Sequence, residues 1–139
     1  MSDRFFLDTN ILVYAIDPSN ADKHAVSLKW LAAAHESGNG LLSYQVVQEW
    51  FNVVLRKAAV PLAPDEAVSI YRKLIEPLWR IQSSRELIDT ALDLHGRHSF
   101  SWWDSLILSA AIQGDCNRLL SEDLQHGGEF RGVRIQNPF

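Results

Sequence analysis

The sequence predicts an α/β fold, a three-layer α/β/α sandwich whose central parallel sheet has four to five short strands. The first observation is the run Phe5-Phe6-Leu7, whose unbroken apolar character is typical of a strand covered on both faces. The second is the alternation of short apolar runs with longer amphipathic segments along the rest of the chain. Parallel strands need crossover connections, so this alternation favours right-handed βαβ units.

Turn residues set the bounds of the elements in the first half of the chain. Asp17 to Asn20 is a turn-rich cluster, Gly38 to Gly40 stops a helix, and Val60 to Pro64 breaks the chain. Ser43 is the predicted N-cap of the helix that follows it. The predicted elements are a strand, two helices, a strand and a helix, at residues 5–7, 10–16, 21–37, 41–42 and 44–58.

The second half repeats the alternation. Pro77 ends one helix, Ser83 and Glu86 form a capping-box pattern that opens the next, and Gly96 is expected to end it. The predicted elements are a helix, a strand, two helices and two strands, at residues 65–75, 78–81, 84–94, 103–111, 118–121 and 133–135, the last at the sheet edge. The two later helices are predicted to face inward through Leu87, Ile88, Ala91 and Leu92, and through Trp103, Leu106, Ile107 and Ala110, with Trp102 also in the core.

Bulk composition favours one soluble domain spanning residues 1–139. Hydrophobic residues make up 47% of the chain and charged residues 22%, an ordinary globular mixture. There is no apolar run of the roughly 18 residues that a membrane helix needs, and Met1-Ser2-Asp3-Arg4 lacks the basic region of a signal peptide. The single Cys116 cannot form an internal disulfide. We therefore expect a cytoplasmic protein.

Four carboxylates occupy related places in this predicted fold. Asp8 and Asp123 follow strands, Asp104 lies in the first turn of a helix, and Glu49 lies on a helix that itself follows a strand. Because the carboxyl ends of parallel strands share one edge of the sheet, all four acids can converge there. Each acid alone also has an ordinary interpretation: Asp8 as a turn or N-cap residue, Asp104 as part of a cap with Ser101, and the others as surface charges.

Four acids gathered at one edge would repel one another strongly without a counter-ion. Oxygen ligands without histidine or cysteine favour Mg²⁺ or Mn²⁺, with Asp8, Asp104 and Asp123 as the predicted ligands. A carboxylate-held cation in an open crevice suits the hydrolysis of a phosphodiester. The net charge of −4 argues against broad adhesion to nucleic acid but leaves such a site open.

Two further residues are candidates for RNA contact. Arg56 continues the polar helical stripe of Gln45, Glu49 and Asn52, roughly 10 Å beyond Glu49, so it could hold a neighbouring phosphate. Its alternative role is that of a solvated cation near a helix C-terminus. His126, three residues after Asp123, could contact RNA or simply cap a turn. Arg97, Arg118 and Arg131 are weaker candidates.

The segments FLDTNILVYA, Glu49 on its helix, WWDSLILSAA and LLSEDL together resemble the four motifs of PIN-domain ribonucleases, particularly the VapC-type toxins of bacterial toxin–antitoxin pairs. The motifs come in the family's order and span nearly the whole chain. The family's acidic quartet falls on Asp8, Glu49, Asp104 and Asp123. Its hydroxyl or amide support falls on Thr9 or Asn10 and on Ser121. Glu122 beside Asp123 is a second acid at the fourth motif.

The resemblance implies an endoribonuclease that depends on Mg²⁺ or Mn²⁺, assembles as a homodimer and is inhibited by a cognate antitoxin protein. The rival is a PIN-like module that binds RNA or a protein without cutting it. A phosphatase of the haloacid dehalogenase type would carry a second aspartate where this chain has Asn10, and a receiver domain would carry a lysine later than Lys73, the last lysine here. The sequence therefore fits a phosphatase of this type or a receiver domain less well than it fits a PIN domain.

Overall fold

The computed structural model describes residues 3–58 and 61–139. Met1 and Ser2 of the predicted start, and Val60 of the predicted chain break, lie outside the described residues. The elements, in chain order, are β1 (Phe5–Leu7), α1 (Thr9–Tyr14), α2 (Ala21–Ser37), β2 (Gly40–Ser43), α3 (Tyr44–Asn52), α4 (Pro64–Ile70), β3 (Trp79–Ile81), α5 (Arg85–Arg97), α6 (Trp102–Gln113), β4 (Arg118–Leu120), β5 (Glu129–Phe130) and β6 (Val133–Gln136).

The central sheet has the strand order β3-β2-β1-β4-β6-β5, in which the first five strands are parallel. β1 lies in the interior of the sheet, with Phe6 opposite Leu41 of β2 on one side and Leu119 of β4 on the other. All three residues of β1 are buried, as its apolar run predicts. The predicted α/β/α sandwich is confirmed, with helices packed on the sheet.

The sheet has six strands where four to five were predicted. The additional strand is β5, which pairs antiparallel with β6. It forms because Arg131 and Gly132, with φ of 49° and 85°, reverse the chain in two residues between Phe130 and Val133. The prediction that residues 133–135 form an edge strand is therefore wrong, since β6 lies between β4 and β5.

Side-chain caps define most of the helix starts. The Asn20 side chain accepts from the backbone N–H of Lys23 at the start of α2, and Ser101 accepts from Asp104 at the start of α6. α2 covers the residues predicted for it and ends at Gly38, whose φ is +72°. Ser43 stands at the start of α3 as predicted, but its hydroxyl makes no capping bond.

Two helices change their hydrogen-bond period part-way along. α3 continues as a π-helical turn over Val53–Lys57, closed by the Ala58 N–H donating to the Val53 carbonyl at 2.9 Å. α4 continues in the same way over Tyr71–Ile75 and ends in a 3₁₀ turn over Glu76–Leu78. A π turn contains an extra residue, so side chains beyond it are rotated out of the stripe that a regular helix would form.

α5 differs from its prediction in start, end and exposure. Its N-cap is Ser84, not Ser83, and Gly96 lies inside the helix. Leu87, Ala91 and Leu94 are the buried residues of α5. Ile88 and Leu92, predicted to face inward, are 40% and 55% exposed. The helix packs through the i, i+4, i+7 stripe that starts at Leu87, which leaves the neighbouring stripe uncovered.

α6 is the most buried helix of the described residues, with every residue from Ser105 to Ala111 buried. Ser109 ties it to α5, since its hydroxyl donates to the Leu87 carbonyl at 2.7 Å. Trp102 packs against the core as predicted, but the prediction for Trp103 is wrong, because its side chain is 65% exposed. Trp103 lies in the first turn, ahead of the part of the helix that the sheet covers. None of the helices in the described ranges is long and apolar enough to cross a bilayer.

Gly40 provides a test of the close contact between α2 and β2. A Cβ added at Gly40 would lie 2.2 Å from the Cβ of Ala34. Gly40→Ala should therefore lower the free energy of unfolding by roughly 1–3 kcal/mol, the usual cost of overpacking. Urea denaturation of both proteins measures the difference.

The matched control is Gly96→Ala. A Cβ there meets nothing within 4 Å, and the residue is helical. This substitution should raise the free energy of unfolding by roughly 0.5–1 kcal/mol, because alanine loses less backbone entropy in a helix than glycine. Equal effects of the two substitutions would contradict the packing described for Gly40.

Candidate active site

The candidate site lies where the sheet topology reverses direction. The chain runs outward from β1 through β2 to β3, then returns to place β4 on the other side of β1. The crevice at such a switch point, beyond the carboxyl ends of the strands, is the usual ligand site of open α/β sheets. Asp8 directly follows β1 and Ser121 directly follows β4, so both residues lie at this crevice.

Asp8 is held by both neighbouring segments. Its Oδ1 accepts from the backbone N–H of Thr9 at 2.7 Å, which caps α1, and its Oδ2 accepts from the Ser121 hydroxyl at 2.7 Å. The side chain is 5% exposed. The pKa of Asp8 is raised to about 7, mainly by burial and to a lesser extent by the charges of Glu49 and Asp123, while its two hydrogen bonds act in the opposite direction. Asp8 is thus both an N-cap and a perturbed acid.

Glu49 reaches the site from α3, as its position after β2 predicts. Gln45, one turn earlier, donates from Nε2 to Glu49 Oε1 at 2.8 Å. Burial raises the pKa of Glu49, and the negative charges of Asp104 and Asp123 add to that shift. The charge of Glu49 therefore interacts with those of Asp104 and Asp123, which are far away in sequence.

Asp104 enters the site from the first turn of α6. Its backbone N–H donates to the Ser101 hydroxyl at 3.1 Å, so the predicted cap is present while the carboxylate stays available. Partial burial raises the pKa of Asp104, with a further contribution from Asp123. The capping bond uses the backbone of Asp104 and therefore does not exclude the predicted role of its carboxylate.

The two acids after β4 have different partners. Asp123 is exposed, its backbone N–H donates to the Ser121 hydroxyl at 3.1 Å, and its Oδ2 accepts from Asn10 Nδ2 at 3.1 Å. Glu122 instead forms an ion pair with Lys23 at 2.7 Å and accepts from the Tyr14 hydroxyl at 2.6 Å. Burial alone would raise the pKa of Glu122, but these two donors lower it overall.

The predicted supporting residues lie between the acids. Thr9 Oγ1 is buried without a hydrogen-bond partner of good geometry, although the hydroxyl is near enough to Glu49 to favour its charged form. The amide oxygen of Asn10 is also buried and unpaired. Within the part of the chain that the structure describes, the Asn10 oxygen thus has no partner, and such an oxygen next to carboxylates is the donor type that a hard divalent cation takes.

The acids influence one another without forming a tight cluster. In residues 3–58 and 61–139, no three acidic, imidazole or thiol groups are gathered closely enough to make a ready-made metal site. Their charges nevertheless raise the pKa values of Asp8, Glu49 and Asp104. The donors in this crevice are all oxygens, which suits a hard divalent cation. The assignment of individual residues as its ligands stays a prediction.

The two predicted RNA contacts have different surroundings. Arg56 is exposed and lies in the π-helical turn, so the regular stripe that placed it in line with Glu49 does not extend to it. His126 is exposed, and its Nδ1 accepts from the backbone N–H of Asn137 at 3.0 Å. That bond fits the turn-capping alternative and leaves Nε2 available. Both RNA contacts stay predictions.

Sequence reasoning missed the partners of Glu122. Tyr14 and Lys23 lie 108 and 99 residues away from it along the chain. Lys23 also lies 5.0 Å from the centroid of the Tyr14 ring and 5.5 Å from that of Phe139. No local pattern signals such a contact, because it exists only once α1, α2 and the segment after β4 have come together. Gln45, by contrast, was visible on the polar stripe of its helix.

Comparison with known proteins agrees with this geometry. The sequence model of the PIN domain matches residues 5–127. The chain belongs to the PIN domain family. That match contains every acid described above, from Asp8 to Asp123. A search of curated protein sequences finds no significant match.

Several solved structures are similar to this PIN domain. A toxin–antitoxin complex from Klebsiella pneumoniae matches with a TM-score of 0.67 at 15% identity, over 96% of this chain and 97% of that one. VapBC2 from Rickettsia felis, bound to a DNA fragment from its promoter, matches with 0.65 at 21%, over 96% and 97%. VapC20 from Mycobacterium tuberculosis, a Sarcin-Ricin loop cleaving toxin, matches with 0.60 at 16%, over 83% and 86%. At these identities the likeness establishes the shared PIN fold.

The raised pKa of Asp8 predicts a pH-dependent stability that Asp8→Asn should remove. Between about pH 4 and about pH 7 the folded protein holds a proton on Asp8 that the unfolded chain has lost, so the free energy of unfolding falls as pH rises through this window. The Asp8→Asn variant has no carboxyl group at this position, so its free energy of unfolding should not fall for this reason as pH rises. In EDTA at about pH 8 it should be more stable than the parent protein by roughly 1–4 kcal/mol, and at about pH 4 the two should be nearly equal.

Denaturant titrations at the two pH values measure this difference, with Asp89→Asn, at an exposed acid on α5, as the matched control. A variant less stable than the parent protein at both pH values would assign Asp8 a purely structural role.

Proposed function

We propose that this PIN domain is a divalent-metal-dependent endoribonuclease and the toxin of a type II toxin–antitoxin pair. The observation that carries the proposal is the position of Asp8, Glu49, Asp104 and Asp123 on elements that meet at the switch point of the sheet, with the pKa values of the first three raised mainly by burial and further by neighbouring acids. Perturbed acids that meet in a crevice from distant parts of the chain are characteristic of a functional site. The family match and the set of oxygen donors both support nuclease chemistry at these acids.

In this proposal Asp8, Asp104 and Asp123 hold Mg²⁺ or Mn²⁺, and Glu49 acts as a ligand through water or as the base that orients the attacking water. The bound cation supplies positive charge that offsets the acids and polarises the scissile phosphate. Ser121 keeps the Asp8 carboxylate oriented through its 2.7 Å hydrogen bond. Asn10 does the same for Asp123 at 3.1 Å. The raised pKa of Glu49 makes it a better proton acceptor than an ordinary surface glutamate.

The toxin role rests on the solved neighbours. The neighbour from Klebsiella pneumoniae is a toxin–antitoxin complex, and VapC20 from Mycobacterium tuberculosis is a toxin that cleaves the Sarcin-Ricin loop. A cognate antitoxin is therefore the partner proposed here, with RNA as the substrate. The alternative, a binding module without catalysis, usually requires the loss of an acid, and this chain keeps all four.

A homodimer is the proposed assembly, and α5 offers a surface for it. Ile88 and Leu92 are one helical turn apart, so they lie on the same face, and both are exposed. An apolar stripe on the outside of a helix is a feature of surfaces that pair with another chain. A second copy of this chain is the partner that the family resemblance implies.

Cleavage of RNA is the direct test of the enzyme. Antitoxin-free protein should cut total cellular RNA into discrete fragments with Mg²⁺ or Mn²⁺ and not with EDTA. Asp8→Asn and Asp104→Asn should each lower the cleavage rate by at least about a hundredfold, because each removes an acid that the site shares. Gel analysis and sequencing of the fragment ends measure both the rate and the target.

Glu122→Gln is the matched control for this experiment, because Glu122 is adjacent to Asp123 but is paired with Lys23 and Tyr14. It should keep most of the activity, whereas Asp123→Asn should not. A folded parent protein that binds Mn²⁺ at the four acids yet leaves every RNA intact would favour the binding module.

The assembly is tested by charging the exposed stripe of α5. Leu92→Glu should convert the dimer into a monomer, because it places a charge in an apolar contact. Sedimentation equilibrium measures the mass, and Val68→Glu on α4, where the native side chain is 45% exposed, serves as the control. A parent protein that is monomeric at all concentrations would refute the dimer.

A further inference from the structure

A cavity of about 160 Å³ lies at the ends of β2 and β3, next to the helices that carry Glu49 and Asp104. It is bounded by the starts of α3 and α6, the end of β3 and the first turn of α5. The apolar part of its lining is formed by Ile81, Leu106 and Ala110 together with Leu87 and Ile88 of α5, and Ile88 also belongs to the exposed stripe proposed for the homodimer. Among the described residues that line it, none carries a charge. This neutrality sets it apart from the adjacent acidic crevice.

Two aromatic side chains stand at this cavity. Trp103 is 65% exposed and Tyr44 is 39% exposed, and both line it. Tyr44 is held from behind by Trp79, whose ring centroid is 5.8 Å away. Exposed aromatic rings are the platforms on which proteins stack unpaired nucleobases.

The polar lining consists of amides and hydroxyls. Gln45, Gln48 and Gln82 contribute side-chain amides, each of which is both donor and acceptor, and Ser83 contributes a hydroxyl. The Ser43 hydroxyl is the most informative group, because Ser43 is 3% exposed, lines the cavity and has no hydrogen-bond partner among residues 3–58 and 61–139. A buried hydroxyl without a partner is costly, and a ligand that bonds to it would remove that cost.

Direct contacts join the cavity to the acids. Gln45 Nε2 donates to Glu49 Oε1 at 2.8 Å and approaches the Trp103 carbonyl at 3.4 Å. Trp103 immediately precedes Asp104 in the first turn of α6. A nucleotide whose phosphate lies at the acids therefore has its base, or that of its neighbour, within reach of the cavity.

We propose that this cavity binds one unpaired nucleobase of the RNA substrate, stacked on Trp103 and read by the amides and by Ser43. The proposal rests on the nuclease function above and adds the element that selects the substrate. A base is uncharged, flat and edged with donors and acceptors, which matches a neutral lining with aromatic walls. A phosphate or a charged peptide side chain would find no opposite charge among the described lining residues.

The first test uses the four ribonucleosides, which carry no phosphate and need no metal. They are titrated in EDTA into ¹⁵N-labelled protein while the indole N–H signal of Trp103, assigned from Trp103→Phe, is followed by NMR. At least one nucleoside should shift this signal saturably, and ribose should not. Trp103→Ala should weaken binding at least about fivefold, Trp103→Phe should retain most of it, and Leu28→Ala, an exposed apolar site on α2, should have no effect.

Ser43→Ala separates recognition from packing. It should weaken the preferred nucleoside at least about threefold, the loss expected for one hydrogen bond, and leave the urea midpoint unchanged or higher, because it deletes an unpaired buried hydroxyl. A lower midpoint with unchanged binding would overturn the role assigned to Ser43.

The second test uses a cleaved RNA in which one abasic nucleotide is placed at each position near the cut. One position should lose at least about fivefold in kcat/KM, and Trp103→Ala should abolish that difference. Cleavage without any nucleoside binding or abasic effect would overturn the base pocket and leave the nuclease intact. Nucleoside binding without cleavage would support the pocket and refute the nuclease. A Trp103→Ala variant that changes the oligomeric mass and not nucleoside binding would assign this surface to a second copy of the chain.

Discussion

The hydrogen bond between the Ser121 hydroxyl and Asp8 joins the two strands on which the site depends. β1 and β4 are neighbours in the sheet but are separated by more than a hundred residues of chain, and their carboxyl ends meet at this bond. The same hydroxyl also accepts from the Asp123 N–H, so one serine orients the first and the last of the acids. This contact holds the Asp8 carboxylate buried in the crevice. Without it, the cost of desolvating the carboxylate would favour a position in water.

This arrangement is electrostatically costly in the absence of a counter-charge. Asp8, Glu49 and Asp104 all have raised pKa values, and in each case burial is the main cause and the other acids add to it. Glu122 differs from these acids. Lys23 offsets its charge and Tyr14 donates a hydrogen bond to it, so its pKa is lowered. Within the described ranges, Asp8, Glu49 and Asp104 have no ion-pair partner, whereas Glu122 is paired with Lys23. Functional sites commonly contain such unfavourable electrostatic interactions, which lower the stability of the fold.

The surface around the acids divides into two parts with different chemistry. On the β4 side the contacts are ionic, through Glu122 and Lys23. On the β3 side they are neutral, with the amides of Gln45 and Gln48 and the exposed rings of Tyr44 and Trp103. A charged side suits a phosphate chain with its cation, and a neutral aromatic side suits a base. The π-helical turn after α3 moves Arg56 away from the regular stripe, so the contribution of that cation depends on a geometry that helical periodicity alone does not describe.

The sequence by itself determined the fold class and most of the elements, because these depend on local patterns. The buried run Phe5 to Leu7, the bounds of α2 and the acids after strands all follow from periodicity and from turn residues, and the topology of parallel strands then directs the acids to one edge. Tertiary structure alone decided which helical stripe is buried and which partners distant residues find. Ile88, Leu92 and Trp103 are apolar residues in helices, and nothing in their local pattern states that the sheet does not cover them. Likewise β5 depends on a hairpin at Arg131 and Gly132, and the pairing of Glu122 with Tyr14 and Lys23 exists only when segments about a hundred residues apart pack together.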